Sequence, residues 1–386
     1  MEKGARQNNI QLFDFKALYS VVIGVLPVIM SFKIPIVNIG FSTALLCLFV
    51  VFAVSRIKIG YNVTLKLVIS AVIVYLIIRS LEAPFNIVLL LITYIHLIGF
   101  SNGTVDSKVT RRTIEIVSYV SAYIVIVQTL LYYFLGIRST LLVETFLIDA
   151  NKYYVASQIK AFGLYRPSAF FLEPSHYAEY CCIGLLSILF PGKNRNPNIG
   201  RAIIVALGCL CTTSGIGIGL CLGIFVAYAF FAERAKGTRL SYVVLYLVVG
   251  AIVAVLLMRI PFIQVALQRV FGDVDGYNAI WGRTLYWDRF IDTMSPINKI
   301  FGYGYGSRPA EYMTGVMILI YCYGYVGVAI LLSSLIYIAK VNKSFFVFFL
   351  IGMYVALMNV ANLFGFISLV FWYSLVISSS DNLTNV

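Results

Sequence analysis

The chain is short of charge. Only 12% of its 386 residues are Asp, Glu, Lys or Arg, and just two are histidine. Soluble domains carry about twice that charged fraction, so a soluble enzyme is excluded. Two histidines far apart and scattered carboxylates give no recognisable metal-ligand spacing, and neither a metal nor another cofactor is expected. The seven cysteines (Cys47, Cys181, Cys182, Cys209, Cys211, Cys221 and Cys322) all fall inside apolar runs. There they read as small hydrophobes, and no disulfide is expected. A basic arm or basic helix is lacking too. The net charge of +13 is spread in small groups such as Arg56/Lys58, Arg111/Arg112 and Arg234/Lys236/Arg239. That distribution argues against nucleic acid as a partner.

What the chain has instead is apolar length. Hydrophobic residues make up 61% of it, and this excess calls for a lipid bilayer as solvent. About twelve spans can be read: 17–32, 36–54, 63–79, 84–100, 114–136, 176–191, 201–213, 214–231, 241–258, 313–338, 345–360 and 362–378. The expected fold is therefore all-α, a single integral membrane domain over 1–386. The polar start through Lys16 leads directly into the first span, which reads as a retained helix and not as a cleaved signal. With both termini in the cytoplasm, segments 1–16, 55–62, 101–113, 192–200, 232–240 and 339–344 lie inside. Each carries Lys or Arg, as the positive-inside rule requires.

Two external loops are long, about 137–175 and 259–312. They are rich in Tyr, Trp, Arg and Gly, a composition unlike that of disordered segments. The first contains "RPSAFFLEPSHYAEY", which places Arg166, Glu173, His176 and Glu179 beside the start of an apolar helix. Pro174 suits the first helical position, with Glu173 at the helix mouth. The plain alternative is an interfacial segment whose charges reach up to water. Glu179, however, is expected at hydrocarbon depth, where a carboxylate is costly and tends to be functional or paired. The second loop holds "WGRTLYWDRF" and "FGYGYGSRPAEY". Arg283, Trp287 and Arg289 fall at helical spacing there, and aromatics beside arginine suit a sugar ring next to an anionic phosphate. Tyr303 and Tyr305 offer hydroxyls between glycines, and Arg308 and Glu311 follow. A structural cap over the bundle is the alternative for this loop. A nucleotide-binding glycine loop is excluded, because no strand-then-helix context surrounds it. "SGIGIGL" at 214–220 reads as small-residue helix packing, and His96 as a hydrogen-bonded packing histidine beside Tyr94.

At these residues the chain resembles the Wzy-type O-antigen or capsular repeat-unit polymerases, related to the O-antigen ligases. "RPSAFFLEPSHYAEY" is similar to the family segment R-x-S-G-x-F-x-E-P-S-H-x-A-x-Y, with Ala169 where glycine is frequent. "GRTLYWDRF" with "FGYGYGS" resembles the R-x-x-x-W and G-x-G-x-G pattern of the family's long loop, and "YCYGYVG" its following G-x-x-G. Ligases place a histidine eleven residues before that G-x-x-G. Met313 and Thr314 stand at those positions here, which weakens the ligase alternative. The resemblance implies an inverting glycosyl transfer at the outer face of a bacterial inner membrane. An undecaprenyl-diphosphate-linked oligosaccharide would pass to the terminal sugar of another lipid-linked repeat, with a chain-length regulator protein as a candidate partner. Arg166 and Arg283 are the candidates to stabilise the leaving diphosphate without metal, and His176 and Glu173 the candidate bases. Arg289, Arg308, Tyr303, Tyr305, Trp287, Glu179 and Glu311 are the candidate substrate contacts. A lipid-glycan flippase or transporter is the rival class. Its intramembrane charges would lie near the midplane in repeated halves, and neither feature is visible.

Overall fold

The computed structural model describes residues 14–30, 32–35, 39–58, 62–139, 165–191, 195–235, 264, 287–307, 315–342, 345–357 and 375–376. It is mostly helical. The helices are α1 (Phe15–Ile29), α2 (Phe41–Ser55), α3 (Val63–Ile78), α4 (Pro84–Phe100), α5 (Ser107–Leu135), α6 (Pro174–Leu189), α7 (Ile199–Cys211) and α8 (Gly215–Ala235). A short α9 (Pro296–Phe301), the long α10 (Gly315–Asn342) and α11 (Phe345–Leu357) follow. Two of these, Ser107–Leu135 and Gly315–Val341, are long and apolar enough to cross a membrane. A two-residue antiparallel ribbon, Lys33–Ile34 with Ile39–Gly40, joins α1 to α2. The expected spans 241–258 and most of 362–378 lie outside the described residues.

Most helix boundaries fall within a few residues of the apolar runs. The main difference is α5, which begins at Ser107 and not at 114. Asp106 accepts from the amides of Lys108 and Val109 at 2.8 and 3.2 Å. This cap satisfies orphan donors and carries the helix through the polar stretch "SKVTRR".

The central packing is α5 against α1, α6 and α7, with α8 against α6. Small residues allow the close approach. A Cβ on Gly184 would lie 2.6 Å from Ser118 Cβ, and one on Gly208 2.8 Å from Ala122 Cβ. In "SGIGIGL" the contact is made by Gly217, whose added Cβ would meet Ala178 Cβ at 2.5 Å; Gly219 faces nothing within 4 Å. A second group, α2, α3, α4 and α10, packs beside the first. His96 sits there as a packing histidine, bonded to the Tyr19 hydroxyl and, through Nε2 at 3.0 Å, to the Leu46 carbonyl. Tyr94 is not its partner; that hydroxyl pairs with Ser70 at 2.9 Å.

The two ends of the bundle differ in chemistry. At the Ser107 end, Asn102 accepts from the Lys58 amide and the Lys66 ammonium, both at 3.1 Å. The Asp106 amide donates to Ser20 Oγ at 2.8 Å, and Arg195 meets Glu115. Described parts of three segments read as cytoplasmic, 55–62, 101–113 and 192–200, thus gather at one end, beside the start of α1. α3 and α5 run away from that end. Their far termini carry described parts of both long loops: 165–173 on α5, and 302–307 on the residues after α3.

Candidate functional site

The arm from Tyr165 to Glu173 is fixed to the Leu135 half of α5, chiefly by one side chain. Gln128, an amide in an otherwise apolar stretch and only 4% exposed, donates from Nε2 to the Ser139 carbonyl at 3.0 Å. Its Oε1 accepts from the Ala169 amide at 3.2 Å. One glutamine therefore ties the start of the first long loop to its end. Tyr165 adds a second tie, donating its hydroxyl to Ser139 O at 2.5 Å while stacking on Tyr132 at 4.7 Å. Burial pushes the Tyr165 phenol pKa up, which keeps it the neutral donor this bond needs.

Ala169 turns the chain with φ +51°. This is the left-handed region that an L-residue enters at a cost of about 1–2 kcal/mol. It accounts physically for glycine at this place in the segment the chain resembles. The turn is closed by Phe171 N–H to Ser168 O at 2.9 Å and Ser168 Oγ to Phe171 O at 2.7 Å. Phe171 then packs at 5.8 Å from Tyr177 and 5.3 Å from Tyr180, anchoring the arm to the first turns of α6.

Glu173 is extended and Pro174 opens α6, as their order predicts. The Glu173 side chain does not cap the helix. It accepts from Ser175 Oγ at 2.8 Å. Glu173 is also the charged neighbour that His176 feels. The Nδ1 atom of His176 is buried without a hydrogen-bond partner among the described residues. Tyr180, one turn on, is unavailable to orient the ring, because its hydroxyl donates to Gly24 O at 2.6 Å. Glu179 is 3% exposed and Arg166 half-buried. Arg166, Glu173, His176 and Glu179 thus lie on one arm and the first turns of one helix.

The second group sits on other helices. Its glycines serve the chain itself. Gly324 interrupts α10 with φ +66° and ψ −178°, and residues 302–304 thread the break. Tyr303 N–H donates to Tyr321 O at 2.7 Å and Gly304 N–H to Cys322 O at 3.0 Å. A Cβ on Gly302 would meet the Cys322 backbone at 2.4 Å, and one on Gly324 the Ile300 carbonyl oxygen at 2.3 Å. The close backbone approach that these glycines allow is therefore helix-to-loop. Arg79, at the end of α3, donates from Nη2 to Gly302 O and accepts from the Tyr305 amide at 2.8 Å through its own carbonyl. This loop-to-helix contact accounts for the glycines; Tyr303 is 37% exposed with its ring 4.9 Å from Tyr321, and Tyr305 is half-buried with its ring 6.5 Å from Tyr323.

Trp287 is half-buried against the core and opens a single π-turn, Asp288–Asp292, with Arg289 exposed beside Phe290. Arg283, Arg308, Glu311, Met313 and Thr314 lie outside the described residues.

Two groups escaped the sequence reading. Glu115 is 3% exposed and accepts Arg195 Nη1 and Nη2 at 3.0 and 2.8 Å, Arg112 Nη1 at 3.2 Å and Ser187 Oγ at 3.0 Å. Three thiols, from Cys182, Cys209 and Cys221, also converge from α6, α7 and α8 with their sulfurs within 4.8 Å of one another. Sequence spacing could not show this, since each comes from a different helix. The separation suits a soft ion such as Cu(I). Three buried thiolates would need a compensating cation, though, and among the described residues none is shown beside them. Packing as small apolar groups is the reading these surroundings favour.

No family model matches the chain, and no curated protein or solved structure matches it either.

Proposed function

We propose that the chain is a polymerase of lipid-linked oligosaccharide repeats, an inverting and metal-independent glycosyltransferase of the O-antigen polymerase–ligase kind. In this reading it is a bundle of about twelve transmembrane helices in a bacterial inner membrane, with both termini cytoplasmic. The observation that carries it is the arm at the mouth of α6. A turn at Ala169, clamped by Gln128, delivers Arg166, Glu173 and His176 to one helix end. This is the end opposite the basic segments, so a lipid-linked substrate would meet these charges at the outer surface.

The reaction assigns a role to each group. As the acceptor hydroxyl bonds to the anomeric carbon of the donor sugar, the bond from that carbon to the diphosphate oxygen breaks. Its electron pair leaves with the diphosphate, and Arg166 and Arg283 stabilise the developing charge. His176 takes the hydroxyl proton: its Nδ1 has no hydrogen-bond partner among the described residues and accepts when the ring carries its proton on Nε2. Glu173 then positions the imidazole. Trp287, Arg289, Tyr303, Tyr305, Arg308, Glu179 and Glu311 are the proposed substrate contacts.

Deleting the gene and resolving the surface glycan on a gel tests the reaction class. Single repeat units in place of a ladder are expected. Loss of all attached glycan would indicate a ligase, and retention of glycan inside the cell a flippase; either overturns the polymerase reading.

A further inference from the structure

We infer that a cleft between α1 and α5, at the end of the bundle opposite the proposed active face, is a binding site for the phosphate headgroup of an anionic phospholipid. The cleft has a volume of about 720 Å³ and is lined by Val21, Lys108, Val109, Arg112, Thr113 and Arg195. Its three cations come from two separate segments. Arg112 and Arg195 are held in place by Glu115, yet their side chains remain 44% and 48% exposed. The carboxylate is shared by two guanidiniums, so one positive charge is left over, and Lys108 adds another.

The neighbouring carboxylates are engaged by other donors and leave the outward N–H groups of the cations to an incoming anion. Glu115 is buried under its four donor contacts, and Asp106 accepts from the amides of Lys108 and Val109. Arginine has five N–H donors in a planar fork. Arg195 gives one from each Nη to Glu115 and Arg112 gives one from Nη1, so donors are left on both. The remaining wall is apolar. Val21 is 39% exposed, and Thr113 spends its hydroxyl on Val109 O at 2.9 Å, so it offers the cleft no free donor. A cationic rim above an apolar wall between two membrane helices matches a phosphate joined to acyl chains; a free anion would use only the rim. The inference rests on the membrane reading of the chain but not on its catalytic role.

The test uses purified full-length protein in zwitterionic detergent. Native mass spectrometry counts retained phosphatidylglycerol against phosphatidylcholine for wild type and for Lys108→Gln/Arg112→Gln. Arg195 is left intact so that Glu115 keeps its fork. A basic side chain beside an anionic headgroup is worth about fivefold in binding. Wild type should prefer phosphatidylglycerol, and the double variant should bind it about twenty-fivefold more weakly. Its unfolding temperature in phosphatidylcholine alone, compared with wild type, shows that the fold survives. If that temperature collapses, the single Lys108→Gln variant, expected to lose about fivefold, replaces it. Equal retention of both lipids, unchanged binding by the variant, or displacement of phosphatidylglycerol by millimolar inorganic phosphate would overturn the site. None of these readouts depends on polymerisation, so a failure here is separable from a failure of the enzymatic reading.

Discussion

The two ends of α5 hold different polar groups, although buried hydroxyls without a partner among the described residues, Thr104 and Ser118, also occur toward the Ser107 end. At the Ser107 end, Glu115 is buried and every contact it needs is supplied by Arg112, Arg195 and Ser187. At the Leu135 end, an uncharged amide, Gln128, holds the arm, while His176 at the arm's end keeps a buried Nδ1 without a partner among the described residues. A saturated network locks helices and loop together. An unsaturated buried group costs about 1–3 kcal/mol and is retained where something else will use it. In the proposed reading, the Leu135 end is the one that meets substrate.

That contrast breaks most clearly if charge at the Leu135 end proves interchangeable. Arg166→Lys keeps the charge but loses the planar fork. It should cost about 3 kcal/mol of transition-state stabilisation, about a hundredfold in polymer yield, with no change in unfolding temperature. Wild-type chain lengths at equal protein level would make Arg166 structural. Arg195→Ala should do the reverse. Glu115 would stay buried with only the half-exposed Arg112 as cationic partner, a loss of about 2–3 kcal/mol of stability after allowance for solvent screening. Thermal unfolding in detergent should show it, while the surviving folded protein polymerises at the normal rate per molecule.

Gln128→Ala sharpens the comparison from the middle. It strips the partner from the buried Ala169 amide, costs about 1–2 kcal/mol, and should lower polymer yield by about tenfold as the arm shifts. Equal yield at equal protein level would mean that the clamp does not position the arm. Ala169→Gly should have the smallest effect. Relief of the left-handed strain is offset by the entropy of glycine and the lost methyl, leaving stability within about 0.5 kcal/mol of wild type. A loss of more than about 2 kcal/mol would show that the methyl matters more than the turn.

Much of this was legible in the sequence, and the reasons for the rest are local. α3 and α4 fall within a residue of their apolar runs, because apolar length is what defines such helices. The start of α5 was hidden because Asp106 caps a helix whose first turns are polar. The mouth of α6 was readable from Glu173-Pro174. The Glu115–Arg195 fork joins residues far apart in the chain, and no spacing rule connects them. Gln128 did leave a signal, since an amide within "IVIVQTLL" stands out against its neighbours and polar groups inside such helices are expected to have a task. The glycines of "GYGYG" permit close backbone approach, and the partner the structure shows is the break in α10 at Gly324.

The most direct test is His176→Gln in purified full-length protein, supplied with lipid-linked repeats from about pH 5.5 to about pH 8.5 and compared with Glu173→Gln. Glutamine keeps the size and polarity of the imidazole but removes the base. The expected result is a polymer yield at least about a hundredfold lower than wild type across the range, with unfolding unchanged and Glu173→Gln less impaired. Normal polymerisation by His176→Gln, with or without loss in Glu173→Gln, would contradict the claim that the unpartnered nitrogen at the Leu135 end is where the chemistry occurs.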